Sequence, residues 1–294
     1  MATVDTGVEA RPTTVLGRIV RFVTRGPVSV LLVIVGAMWL VPTVGLLFTS
    51  FRTTAANASS GWWNVLTEPS QLTIDAYRNI LDNPRMIDGF VNTVLITVPT
   101  AILLVLIAAG AAYAFAWTRF PGRDALFLIV VGLLVVPLQI GLIPVSRLFG
   151  RVGLFGSIPG VVLFHVAFGL PFAVFLLRNF FIGIPRELLE AARMDGASEW
   201  RVFFRVVLPL GIPAIASLLI FQFLWTWNDL LVALVFAGTD NAPLTVIIRE
   251  QTRQFGSNIG IIAPAAFLQM VVPLIVFFAF QRYFVQGLLA GSSK

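Results

Sequence analysis

The side chains in this 294-residue chain that could do chemistry are few, and their spacing suits binding rather than bond-making. There is one histidine, His165, no cysteine, and only 14 acidic residues. An enzyme would need a nucleophile, a base and a polarising group converging on one point, and His165 with Asp229 falls short of that. No set of His, Cys, Asp or Glu has metal-ligand spacing, so no metal and no other cofactor is expected. A Gly-rich phosphate loop of the Walker type is absent too. The polar residues that do share a face are Gln222, Trp225, Thr226 and Asp229, on a wheel of 100° per residue that Leu218 and Ala233 extend, with Asn228 beside them. Rings that stack on C–H faces, next to groups that exchange hydrogen bonds, suit a neutral polyhydroxylated solute. The plainer reading places Asp229, roughly 20 residues and about 30 Å of helix beyond Pro209, in interfacial water, with Trp225 and Trp227 as an aromatic belt. His165 reads as a neutral imidazole bonded within a bundle in preference to a proton relay. Gln139 and Gln269 read as interhelical hydrogen-bonding groups.

The elements that must position these residues are transmembrane helices. Hydrophobic residues make up 58% of the chain and charged ones 12%, against about 25% charged in soluble domains. Six stretches lack any Asp, Glu, Lys or Arg: 26–51, 89–118, 125–146, 152–177, 206–228 and 254–281, the fifth expected to run on to about Phe236. Each exceeds the roughly 20 residues that cross a hydrocarbon core as helix. Unbroken apolar runs exclude the alternation of a barrel strand, so the fold class is all-α, with six membrane spans. Pro99, Pro137, Pro144, Pro171 and Pro273 fall inside spans, where they read as kinks in packing helices before hinges.

The net charge of +6 comes from Arg and a single Lys clustered at span ends, not from the contiguous basic stripe that a nucleic-acid face requires. With the amino terminus inside, inner segments carry thirteen of the 20 basic residues, which places both termini in the cytoplasm. The chain therefore divides into an inner segment 1–25, a six-helix domain 26–285 and an inner tail 286–294. The first apolar run is longer than a signal-peptide core, so an uncleaved span is expected. An outer loop at 52–88 should hold a short helix at 74–81 begun by Thr73. A second outer loop covers 237–253, and the longest inner loop covers 178–205.

That inner loop reads as a helix–turn–helix on the membrane face. Pro185 suits a first helical position, Arg186–Asp195 are strong helix formers, and Gly196 can take the positive φ that ends the helix. Ser198 would cap a second helix with Glu199 in its first turn. Leu188, Leu189 and Ala192 form an apolar stripe, and Arg186, Glu190 and Arg193 share another face. Read residue by residue, Glu190 with the two arginines would be surface pairs worth a few tenths of a kcal/mol, and Phe203–Phe204 would seat the second helix in lipid headgroups.

Taken together, Glu190-Ala191-Ala192, Gly196 and Val206-Val207-Leu208-Pro209 resemble the signature of binding-protein-dependent ABC importer permeases, with Val206 where Ile is usual. From about Tyr77 to Ser293 the chain is similar to the carbohydrate branch, specifically the second permease of maltose- and trehalose-type systems. Val136-Pro137, Ile143-Pro144, the run 180–185, Trp227-Asn228-Asp229 and the tail 281–291 carry that likeness. The resemblance implies a permease in a bacterial cell membrane that passes a sugar delivered by an extracytoplasmic solute-binding protein. It also implies a second permease and an ATPase pair as partners. Glu190, Ala191, Ala192, Asp195, Gly196, Leu208 and Pro209 would dock into the ATPase, which performs all hydrolysis, and the tail 286–293 would reach it too. Gln222, Trp225, Asn228 and Asp229 would line the path. A permease for another solute stays open. An ion-driven transporter would predict buried charge pairs and an inverted repeat, and neither is visible.

Overall fold

A computed structural model describes residues 15–253 and 258–292, with side chains described over 27–252 and 258–281. Every regular element among these residues is helical. In chain order they are α1 (Val15–Phe51), α2 (Thr54–Ser59), α3 (Asp75–Leu81), α4 (Pro84–Trp117), α5 (Arg123–Leu133), α6 (Leu138–Val152), α7 (Ile158–Phe181) and α8 (Arg186–Met194). Then come α9 (Glu199–Val202), a π-helical turn Phe203–Val207, α10 (Leu208–Leu210), α11 (Ile212–Trp227), α12 (Leu231–Phe236), α13 (Leu244–Arg253) and α14 (Ile259–Ser292).

Four unbroken segments are long and apolar enough to cross a membrane: Pro27–Phe51, Pro84–Trp117, Ile158–Phe181 and Ile259–Gln281. Two bent pairs bring the number to six when each counts as one span: α5 with α6, bent by 101°, and Glu199–Leu210 with α11, bent by 74°. The third apolar run is thus an elbow and not a straight span. Pro137 ends the turn at extended backbone angles (φ −64°, ψ 132°), because it lacks an N–H and disfavours helix in the residue before it. The fifth run does not continue as one helix to Phe236 either. It stops at Trp227, and a separate helix starts at Leu231.

The centre of the bundle is the pairing of α4 with α7, against which α11 packs. On α4, Thr97, Thr100, Ala101, Leu104, Ala108 and Ala112 form one buried stripe. Small residues at that spacing let the helix axes approach, and Ala173, Val174, Leu177 and Phe181 of α7 fill the opposite side. By contrast, little of Pro27–Phe51 is covered by the rest of the chain, so α1 lies on the flank with its apolar surface open to lipid or protein.

The segment 52–88 is organised by Arg52, which is 1% exposed. Its guanidinium donates to Gln71 Oε1, Asn57 Oδ1, Ser60 Oγ and the carbonyls of Ala56 and Ser60. The planar fork spreads its charge over five acceptors with no carboxylate among them. The expected short helix begins at Asp75, and Thr73 serves it from one residue further out, its hydroxyl accepting from Asp75 N. Within 237–253, expected to be a loop, the structure has an amphipathic helix, α13. The 1–25 segment lies outside the described residues up to 14, and from Val15 onward the helix enters the first span without a break. Similarly α14 runs through residue 285 to Ser292.

Candidate functional site

Two regions gather the candidate residues. The first is the hairpin between α7 and α11. Glu190, Ala191 and Ala192 lie in α8, Asp195 is its C-cap (φ −74°, ψ 8°), and Gly196 follows at φ +78°. A Cβ at Gly196 would meet nothing within 4 Å. Glycine is therefore required here by backbone conformation and not by space. Leu208 and Pro209 sit in α10, beyond a π-helical turn. Pro209 lacks the N–H that would bond Arg205, and the wide turn Phe203–Val207 accommodates that missing link.

Several side chains take places other than those expected. Arg186 pairs with Glu190 at 2.6 Å, but Arg193 leaves that face. It reaches across the turn, Nε and Nη2 donating to the two carboxylate oxygens of Glu199 at 2.9 and 3.1 Å. Ser198 holds the N-cap position without a side-chain bond. Only Leu189 of the proposed apolar stripe is buried, while Leu188 is exposed. Phe203 is buried against the Tyr113 ring (centroids 5.1 Å apart) and is not in headgroups, whereas Phe204 is exposed. The exposed surface of the hairpin carries Leu188, Met194 and Trp200. Glu199 is the first residue of α9.

The second region is a recess of about 550 Å³ at the α5–α6 elbow, walled by α7 and α11. Phe172, Phe221 and Trp225 give it aromatic faces, with Gln222 and His165 at the back. Phe172 and Phe221 stand 5.3 Å apart, and Phe221 and Trp225 6.0 Å. Gly169 lets the Gln222 amide in. A Cβ there would lie 3.1 Å from its Oε1 and 2.4 Å from Leu104 Cδ1. Pro171 has no N–H for the carbonyl of Ala167, four residues earlier, and Ala167 lies on the recess wall. Apolar walls with a few polar groups are the usual make-up of a small-molecule site.

The predicted span-five stripe divides. Gln222 and Trp225 come together at the recess, and Gln222 donates to Thr226 Oγ1 at 2.9 Å. Asn228 and Asp229 do not join them, because α11 ends at Trp227 and the wheel cannot be extended past its end. Asn228 is exposed and bonds back to Leu224 O. Asp229 accepts from the backbone N–H groups of Val232 and Ala233, capping α12, and its own carbonyl accepts from Thr245. His165 is 3% exposed, and its Nε2 lies 3.5 Å from Asp229 Oδ2 without a hydrogen bond. Trp227 is no belt residue. It is buried and donates to Gln269 O, while Gln269 Nε2 donates to Trp227 O, the interhelical role expected of Gln269. Gln139 is exposed and makes no such bond.

Sequence reasoning missed Tyr113 and Trp117, which meet the hairpin from α4. Their signal was present, since they hold the only polar side-chain atoms between Ala101 and Trp117. It also missed Phe172 and Phe221, which no periodicity separates from ordinary packing rings.

Residues 14–289 match the family model described as "Binding-protein-dependent transport system inner membrane component". The osmoprotective compounds uptake permease protein GgtD of Synechocystis sp. is 45% identical over 273 residues, covering 91% of this chain and 92% of that protein. The alpha-glucoside transport system permease protein AglG of Rhizobium meliloti is 51% identical over 235 residues, which is 78% of this chain and 62% of that protein. Among solved structures, a bacterial ABC transporter that imports the acidic polysaccharide alginate has a chain superposing with a TM-score of 0.75. It is 22% identical and covers 92% of this chain and 98% of its own length.

Proposed function

The chain belongs to the family of binding-protein-dependent transport system inner membrane components, and on that premise we propose that it is the permease subunit of an ATP-binding-cassette importer for a sugar. The observation that carries this reading is the hairpin: the Glu190-Ala191-Ala192 helix, turned by Gly196 at φ +78°, between two apolar helices. The relative named for alpha-glucoside transport supports a sugar as cargo. In this reading both termini and the hairpin face the cytoplasm, and the exposed surface of α8 docks into an ATPase partner that hydrolyses the nucleotide. A second permease supplies the other wall of the path, and a solute-binding protein delivers the sugar from outside.

On this chain the recess at the elbow supplies part of the path. The rings of Phe172, Phe221 and Trp225 would stack on sugar C–H faces, while Gln222 and the freed carbonyl of Ala167 would exchange hydrogen bonds with hydroxyls. Asp229 takes a different role, holding α12 to α11.

The decisive experiment changes Glu190→Ala and, separately, Gly196→Pro in the assembled importer. Pro locks φ near −65° and cannot take the turn. Both variants are expected to reach the membrane at normal levels, lose ATPase co-purification and abolish uptake. Normal uptake in both would reject the hairpin as a coupling element.

A further inference from the structure

The inner end of α4 is fastened to the hairpin by directional polar contacts made at positions other than Glu190, Ala191, Ala192 and Gly196 of the motif. Arg193 grips the Glu199 carboxylate through two hydrogen bonds across the Gly196 turn, so the limbs on either side of that turn are held at a fixed spacing. The Tyr113 hydroxyl then bonds the same carboxylate. Arg193 Nη2 also donates to Trp117 O at 3.4 Å, and Trp117 Nε1 donates to Phe181 O at 3.0 Å, tying in the end of α7. Beneath this cluster Leu189, Val202 and Val207 are fully buried with Ala109, Ala112 and Leu177. Apolar packing alone resists separation but not sliding, whereas a bidentate pair plus a phenol hydrogen bond fixes orientation as well.

The same helix is fastened at its far end. Asn92 Nδ2 donates to the carbonyls of Asp240 and Ala242, Thr93 Oγ1 accepts from Leu244 N, and Arg85 pairs with Glu250. Tyr113 and Asn92 lie 21 residues apart, about 32 Å along a helix. We infer that Tyr113, Arg193 and Glu199 are positioning residues that join the hairpin to α4 as one body, so that displacement of the docked hairpin is delivered along α4 to the segment 237–253. This rests on the coupling role proposed for the hairpin and adds the element that carries its motion.

The test uses the complete importer in proteoliposomes, with Tyr113→Phe and Glu199→Gln in this chain. Spin labels on cysteines introduced at Asp88, at the outer end of α4, and at Ser198, on the hairpin, report their separation before and after trapping with ATP and vanadate. The wild-type separation should stay constant, and in both variants it should shift on trapping. ATPase co-purification should be retained. Uptake of radiolabelled trehalose or maltose per ATP hydrolysed should fall about 2- to 30-fold. Combining Asn92→Ala with Tyr113→Phe should add less than the sum of the single effects, and exchanging the charges (Arg193→Glu with Glu199→Arg) should recover part of the loss. Tyr113→Phe removes one oxygen only and carries the test if Glu199→Gln fails to accumulate. An unchanged separation on trapping in Tyr113→Phe, or identical shifts in variant and wild type, would overturn the inference. Failure of the coupling reading itself shows separately, as normal ATPase association and uptake in Glu190→Ala.

Discussion

At the scale of single residues, the two halves of the span-five stripe should respond differently to truncation. Trp225 is 56% exposed and belongs to the recess, so Trp225→Ala removes a stacking face without opening a core. It should leave thermal stability in detergent unchanged and raise the half-saturating sugar concentration about fivefold, equivalent to roughly 1 kcal/mol of lost contact. Asp229→Ala should do the reverse. It deletes the acceptor for two N–H groups at the start of α12, costing about 1 kcal/mol. Its signature is a lower unfolding midpoint, with sugar preference kept in the protein that remains folded. Matching kinetic defects in both variants would return Asp229 to the path. Gly196, Gly169 and Pro171 show how a residue's type reports its environment. The first is required by a positive φ, the second by the approach of Gln222 and Leu104, and the third withdraws a backbone donor from a wall residue.

Among the elements, the bond pair between Trp227 and Gln269 is the polar link from α11 to α14. Each side chain donates to the other residue's carbonyl, at 2.9 and 2.8 Å, and the indole stacks on Phe223 with centroids 5.4 Å apart. Interhelical hydrogen bonds in membranes contribute about 0.6 kcal/mol on average. Here Gln269→Leu would also leave the Trp227 carbonyl at the helix end without that partner. The expected loss is therefore about 1–2 kcal/mol, read as a lower unfolding midpoint of the purified importer. No change in midpoint for Gln269→Leu would show that packing alone joins the two helices. The α5–α6 elbow is an element of another kind. Its 101° bend between two apolar helices makes the recess, because a straight third span would lie flat against α7.

For the whole molecule, the question is orientation, and the absence of cysteine makes it simple to ask. Single cysteines at the half-buried Ala56 and the exposed Ser198 should divide under an impermeant thiol reagent applied to cells with an accessible outer surface. Position 56 should label and position 198 should not. The reverse pattern would invert the proposed topology and place the hairpin where no ATPase could reach it. Much of the architecture was legible beforehand. Apolar run length sets the number of spans, because each unpaired backbone group in lipid costs several kcal/mol and helix is the local solution. The Glu-Ala-Ala hairpin was legible for the same local reason, since Pro185, Gly196 and the helix formers between them act on their own backbone. What the sequence could not determine are the relations between segments. Neither the elbow at Pro137 nor the end of α11 at Trp227 follows from hydropathy, which is equally apolar on both sides of each break. The reach of Arg193 across the turn to Glu199, with Tyr113 arriving from a helix some eighty residues earlier, depends on how α4 packs beside the hairpin. So does the separation of Asp229 from Gln222 and Trp225. A helical wheel places residues on a face only while the helix lasts, and tertiary packing decides where it ends.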